Sequence, residues 1–356
     1  MSRTSPGYNR FQVQQVAAAL VIGAAGGAVF AWFGLPAPWL AGAMVAVAGA
    51  ALAGTIRTVM PKSITRIVFI LLGLQIGGAV TPETIDTLAR WPASVAMLAA
   101  TMAVLVVAGV VLYERVFGWN RATSFFAIMP GALSLALAMA ADTRADLAKV
   151  SIVQIIRLFA LVAVLPSLIT GFAGDAVPAV MPPAGSLRDV VMVLGAGLVA
   201  GFVFEKLNVP AGLMLGPALA SGIMHLTGVV HGVLPNWLLL PGFVVLGAMI
   251  GMRFAGVKPA DLISMSGAAL AGLAVGLLIS LTGAAIVSTT LGIPFAHAML
   301  AFAPGGLEAM TIMSFALNLD PAYVGSHQIA RYVMIALAMP LLWPLVRGGK
   351  KQPDDA

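Results

Sequence analysis

Two arginines, Arg157 and Arg331, stand deep inside long apolar runs, and each follows a glutamine by three residues, Gln154 and Gln328. Residues three apart share one face of a helix. A guanidinium is a planar fork of five donors, so such a pair suits a carboxylate or another small anion. The same fork can instead donate to backbone carbonyls freed by a break in a neighbouring helix. Two such breaks are present, at Met129-Pro130-Gly131 and Ala303-Pro304-Gly305-Gly306. Proline removes an N–H and clashes with an upstream carbonyl, and glycine lets the chain turn freely. Glu308 follows the second break, whereas Ser134 stands at the matching place after the first. A carboxylate in one half alone points to proton carrying or to pairing with Arg331. The candidate solute-binding set is Pro130, Gly131, Ser134, Gln154 and Arg157, with Pro304, Gly305, Gly306, Glu308, Gln328 and Arg331.

Other polar residues have plainer readings. Asp146 and Asp320 open the last helix of each half, and Asp320-Pro321 is an N-cap followed by proline at the first helical position. Pro36-Ala37 and Pro210-Ala211 open the second helix of each half, where solute contact and a turn with close glycine packing are equally open readings. His225, His231, His297 and His327 lack ligand spacing, so no metal is expected. The 19 methionines are scattered, as packing residues are. With no cysteine there is no disulfide, thiolate ligand or cysteine nucleophile. No cofactor and no enzymatic activity are expected.

The elements that hold these residues repeat. The chain matches itself at a constant shift: Gly27 with Gly201, Pro36-Ala37 with Pro210-Ala211, Gly42 with Gly216, Gly73 with Gly247 and Gly77 with Gly251. The match continues through Pro130-Gly131 with Pro304-Gly305, Asp146 with Asp320, Gln154 with Gln328, Arg157 with Arg331 and Pro166 with Pro340. This divides the chain into a tail (1–10), a first repeat (11–170), a linker (171–187), a second repeat (188–346) and a second tail (347–356). Six apolar stretches are predicted per repeat: 11–33, 38–56, 64–80, 92–113, 122–141 and 147–170, then 189–204, 211–230, 237–252, 265–291, 296–317 and 322–346. The third of each set is the shortest. Arg157 and Arg331 fall about 15 Å into the last stretch at about 1.5 Å per residue.

Only 9% of the 356 residues are charged and 60% are hydrophobic. Soluble domains carry about 25% charged residues, so lipid is the expected solvent and a soluble enzyme is excluded. The stretch from Phe11 to Phe33 is too long for a cleaved signal and is expected to stay as the first membrane helix. Charge placement then selects a topology. If each fifth stretch enters and leaves by one side, 15 Lys and Arg face the side of the N-terminus and 2, Arg90 and Arg188, face the other. If all twelve stretches cross, the split falls to 11 against 6. The positive-inside rule favours the former, with both termini cytoplasmic. Five crossings per repeat is an odd number, so the fold class expected is all-α integral membrane. It has two inverted repeats, about ten spanning helices and two Pro-Gly-broken or re-entrant segments, a transporter-like layout.

The duplicated pattern Pro-Gly-[Ala/Gly]-Leu-[Ser/Glu] and Asp-x3-Val-x3-Gln-x2-Arg resembles the bacterial AbrB-type family of duplicated membrane proteins, over nearly the whole chain. Members are called either regulators of gene expression or ammonia monooxygenases. The resemblance implies a multi-pass inner-membrane protein connected with regulation. It carries over no catalytic residue. Four unclustered histidines and no cysteine do not supply an oxygenase metal site. The leading reading is a secondary carrier of a small anionic or weak-acid solute, working by alternating access. H+ and Na+ are the candidate coupling ions. The other reading is a membrane-embedded sensor that acts on gene expression indirectly. The partners expected are the lipid bilayer and a small solute, with a homo-oligomer open and no nucleic acid.

Overall fold

A computed structural model of the chain describes residues 10–80, 91–130, 133–173, 184–207, 209, 212–232 and 234–346. Among the described residues there are fourteen α-helices, one short 3-10 turn and no β-strand. The first half holds α1 (Arg10–Trp32), α2 (Pro38–Leu52), α3 (Lys62–Gly78), α4 (Trp91–Phe117), α5 (Arg121–Ile128), α6 (Leu133–Ala140) and α7 (Leu147–Ala173). The second holds α8 (Leu187–Lys206), α9 (Gly212–Leu226), α10 (Asn236–Gly251), α11 (Pro259–Leu291), α12 (Phe295–Phe302), α13 (Leu307–Ala316) and α14 (Pro321–Val346). The helix pairs α2/α9, α3/α10, α5/α12, α6/α13 and α7/α14 begin at positions related by the same shift as the sequence repeat. Most of both tails, most of the linker, and Gly131 lie outside the described residues.

Among the described residues six helices are long and apolar enough to cross a membrane: α1, α4, α7, α8, α10 with its 3-10 extension, and α11. A helix of a soluble protein turns a polar face outward. Here Val107, Val199, Ile263 and Leu278 face outward and are each more than half exposed. Lipid, not water, suits that surface.

The second helices end earlier than expected. The sequence pattern runs them to residues 56 and 230, but α2 stops at Leu52 and α9 at Leu226. Gly54 and Gly228 take left-handed φ values of 75° and 70° just beyond. The chain there folds back, so that the Thr55 N–H donates to the Ala50 carbonyl and the Val229 N–H to the Met224 carbonyl, both at about 3.0 Å or less. Consequently the second helix of each half, at 15 residues, is shorter than the third, at 17 or 16.

The halves are interlocked. Besides packing on α1, α2 packs on α10, and α3 packs on α9 just as reciprocally. Glycines make this possible. A Cβ on Gly73 would collide with the Met214 carbonyl, and one on Gly77 with the Ala218 carbonyl, both on α9. Gly247 and Gly251 stand against the Leu40 and Met44 carbonyls of α2 in the same way. Small residues one turn apart let two backbones touch, which is how helices associate when lipid removes the hydrophobic drive. The close glycine packing left open for the second helices is therefore present.

Two groups of helices result, each with members from both halves. One consists of α1–α3 with α8–α10. The other consists of α4–α7 with α11–α14, centred on the contact of α4 with α11. The groups meet along a thinner seam, where Phe159 of α7 stands edge-on to Phe254 at 5.3 Å and Ile76 of α3 approaches Gly325 of α14.

Candidate functional site

Each broken segment is a hairpin that leaves where it entered. At eight residues, α5 is about 12 Å long, far too short to cross a bilayer. The Asn120 side chain caps α5 through the Thr123 N–H at 2.8 Å and donates to the Arg144 carbonyl at 3.1 Å. The Thr123 hydroxyl accepts from the Asp146 N–H at 2.9 Å. The start of α5 and the loop after α6 are thus joined. In the second half, His297 near the start of α12 lies close enough to Asp320 to feel its charge. Asp146 and Asp320 act as N-caps, accepting from the N–H groups of Ala148 and Lys149, and of Ala322 and Tyr323.

The arginines close the tips of these hairpins. Where α5 ends at the Pro130 break, its last carbonyls have no helical partner. Arg157, buried on α7, donates through one terminal nitrogen to Ile128 at 2.8 Å and Ala127 at 3.3 Å, and through the other to Met129 at 3.0 Å. Gln154 donates to Phe126 at 2.6 Å. On α14, Arg331 donates to the Ala301 and Ala303 carbonyls, both at 2.7 Å, and Gln328 reaches Leu300 and Ala301 at 3.3 Å. The carbonyl-donor reading of the arginines is realised in both halves. It leaves charge over, because a helix C-terminus offers only about half a negative charge. No ion pair joins a carboxylate to Arg157 or Arg331 among the described residues. The Arg331 Nε–H is buried without a partner.

Glu308 is not where the pairing reading puts it. It lies in the first turn of α13 beside Gly306, and both terminal nitrogens of Arg331 are already occupied by carbonyls. The cation that feels Glu308 is Arg253, in the 3-10 turn after α10. The two lie on opposite sides of the seam between the two helix groups, with no ion pair between them among the described residues. Pro130, Pro304 and Gly305 are buried at the hairpin tips and Gly306 is half-buried. The backbone of Ser134 lies in α6, while its side chain and all of Gly131 fall outside the described residues.

An apolar cleft of about 560 Å³ opens beside the first tip, lined by Met102, Val106, Phe125, Met129, Pro130 and Ile335 among others. The second half differs at the matching place. There Gly276 replaces Met102, and a Cβ on it would come within 3.3 Å of Pro304.

Sequence reasoning missed Arg253, which stands where the first half has Ala79, and the buried set Ser94, His327 and Tyr323. A search for charges present in one repeat only would have found Arg253. Ser94 carries no such mark, because its role depends on a contact 233 residues away.

Taken together, the duplicated all-helical membrane-type fold and the two arginine-held hairpins define a class. The chain belongs to the AbrB family, described as "Transition state regulatory protein AbrB", whose model matches residues 2–77 and 39–347. It is 28% identical over 321 residues to "Putative regulator AbrB" of Escherichia coli (strain K12), covering 86% of this chain and 89% of that one. It is 27% identical over 373 residues to "Uncharacterized protein YhjN" of Bacillus subtilis (strain 168), covering 95% of each.

Proposed function

We propose that this chain is a secondary carrier of a small anionic or weak-acid solute in the bacterial inner membrane, with no catalytic role. The observation that carries the reading is the pair of buried arginines that no carboxylate neutralises among the described residues. Charge buried at such depth must be paired, hydrated or bound to a ligand. The N-termini of α6 and α13 point at the same tips and add partial positive charge. An anion held there would meet Arg157 and Arg331, with the Arg331 Nε–H as a ready donor.

Ten crossing helices in two inverted repeats, with both termini cytoplasmic, fit the 15-to-2 distribution of Lys and Arg. Each hairpin returning to its own side leaves five crossings per half. Access alternates along the seam between the two helix groups, since each group is itself built from both repeats. Glu308 and Arg253 lie across that seam and would close it on one side.

The family description and the name of the E. coli relative favour a second reading, in which the same pocket is a receptor and the output is regulation. Flux separates the two. Purified protein in liposomes, given a panel of chloride, nitrate, acetate, succinate and phosphate, should move at least one anion faster than empty vesicles. Arg331→Lys, which keeps charge but loses the planar fork, should cut that flux by about tenfold or more while the protein stays folded. Saturable binding without flux in wild type would establish the receptor reading instead.

A further inference from the structure

One buried polar cluster takes no part in the site described so far. His327 of α14, Ser94 of α4 and Tyr323 of α14 are all buried. His327 Nδ1 lies 2.8 Å from the Tyr323 carbonyl oxygen, His327 Nε2 lies 2.9 Å from Ser94 Oγ, and Ser94 Oγ lies 2.6 Å from Tyr323 Oη. A carbonyl only accepts, so Nδ1 carries the hydrogen. In the neutral ring Nε2 is then an acceptor. The Ser94 hydroxyl donates to it, and the Tyr323 hydroxyl donates to Ser94. Every donor has one acceptor and the chain has a direction.

The same three groups support one other order, which ends on a Tyr323 O–H that needs an acceptor outside the cluster. With a proton added at Nε2, that N–H donates to Ser94 Oγ, Ser94 donates to Tyr323 Oη, and Tyr323 turns its proton outward. Tyr323 stands in the first turn of α14, where its backbone N–H donates to Asp320 Oδ1 at 3.1 Å. No heavy atom has to move between the two orders. Nothing comparable exists in the other half, where the corresponding residues are Ala268, Val153 and Lys149.

We propose that His327, Ser94 and Tyr323 form a proton-binding relay that couples proton uptake to solute binding at Arg331; this rests on the carrier reading above. A proton delivered to Tyr323 Oη releases the tyrosine's own O–H proton to Ser94, and Ser94 passes its proton to His327 Nε2. One proton enters, one is held on the imidazole, and both hydroxyls are restored with their direction reversed. The charged side chain that faces the ring is Arg331, one turn further along α14. From α4 the ring meets Ser94 and Trp91, and from α12 it meets Phe302, none of them charged. His297 of α12 faces Asp320 instead. Protonated His327 adds a second positive charge beside Arg331, and an anion seated at Arg331 offsets the repulsion. Solute and proton therefore strengthen each other's binding by the same factor.

The test is a histidine ¹⁵N NMR titration of the purified full chain. His327 is assigned with His327→Gln or, where that chain does not fold, with a chain whose other three histidines are replaced by Gln. At about pH 8 the ring should be the Nδ1–H tautomer, and it should take a proton at Nε2 on acidification. Tyr323→Phe should lower the midpoint by about one pH unit, because the protonated order then leaves the Ser94 O–H without an acceptor. Arg331→Gln, which keeps an amide donor for the carbonyls, should raise it by about one unit. An Nε2–H tautomer, a midpoint unmoved by Tyr323→Phe, or a ring still neutral at about pH 4.5 in both wild type and Arg331→Gln overturns the relay. The titration does not depend on flux. Titration as expected with no anion flux would remove the carrier reading, and flux without titration would remove only the relay.

Discussion

At the first hairpin tip Arg157 donates to three carbonyls and Gln154 binds a fourth at 2.6 Å; at the second, Arg331 donates to two, its Nε–H is unpartnered, and Gln328 reaches its carbonyls only at 3.3 Å. The second tip also holds what the first lacks. Glu308 and Arg253 stand on opposite sides of the seam, and His327 sits one turn from Arg331. The repeated part of the site is an arginine that closes a helix end and keeps charge that the carbonyls only partly offset. The unrepeated part is where ionisable groups gather and where hydrogen-bonding capacity is left unused.

The comparison can be broken by mutation. The largest effect is expected from removing each arginine. Arg157→Met removes three hydrogen bonds to carbonyls and should destabilise the protein by about 3–5 kcal/mol, while Arg331→Met removes two from carbonyls that keep the Gln328 amide and the Gly305 N–H as donors and should cost about 2–3 kcal/mol. Denaturant unfolding of the two purified variants measures the order; equal losses, or the reverse order, would mean the tips are equally tight. A smaller effect sharpens the same point. Gln154→Leu removes one short hydrogen bond and should cost about 1–2 kcal/mol, whereas Gln328→Leu removes two long ones and should cost less than about 1 kcal/mol. Their midpoints in the same denaturant decide it.

Much of this fold could be read in the chain. Proline and glycine at the tips marked the breaks, and matched Gly73/Gly247 and Gly77/Gly251 marked contacts that only glycine permits. The end of α2 was misjudged because apolar residues continue past Leu52, while Gly54 with its left-handed φ turns the backbone there. At the site, the burial of Arg157 and Arg331 followed from their place in apolar runs. Their acceptors were open, because an anion and a set of freed carbonyls present the same oxygen chemistry to a guanidinium. The partner of Glu308 was hidden for a different reason. Arg253 lies just past the end of α10, and it is the packing of α10 near α13 that brings it toward Glu308, which spacing along the chain does not encode.

The central claim is that two copies of one hairpin-and-arginine unit enter the membrane from opposite sides and meet at mid-depth. The wild-type chain has no cysteine, so a single introduced thiol can be labelled without background. Asp146→Cys and Asp320→Cys each lose an N-cap, a cost of about 1 kcal/mol that the fold should bear. Intact cells are treated with a membrane-impermeant thiol reagent before and after permeabilisation. The account predicts that position 320 labels in intact cells and that position 146 labels only after permeabilisation. Both positions labelling from one side would contradict the inverted arrangement and the alternating-access mechanism built on it.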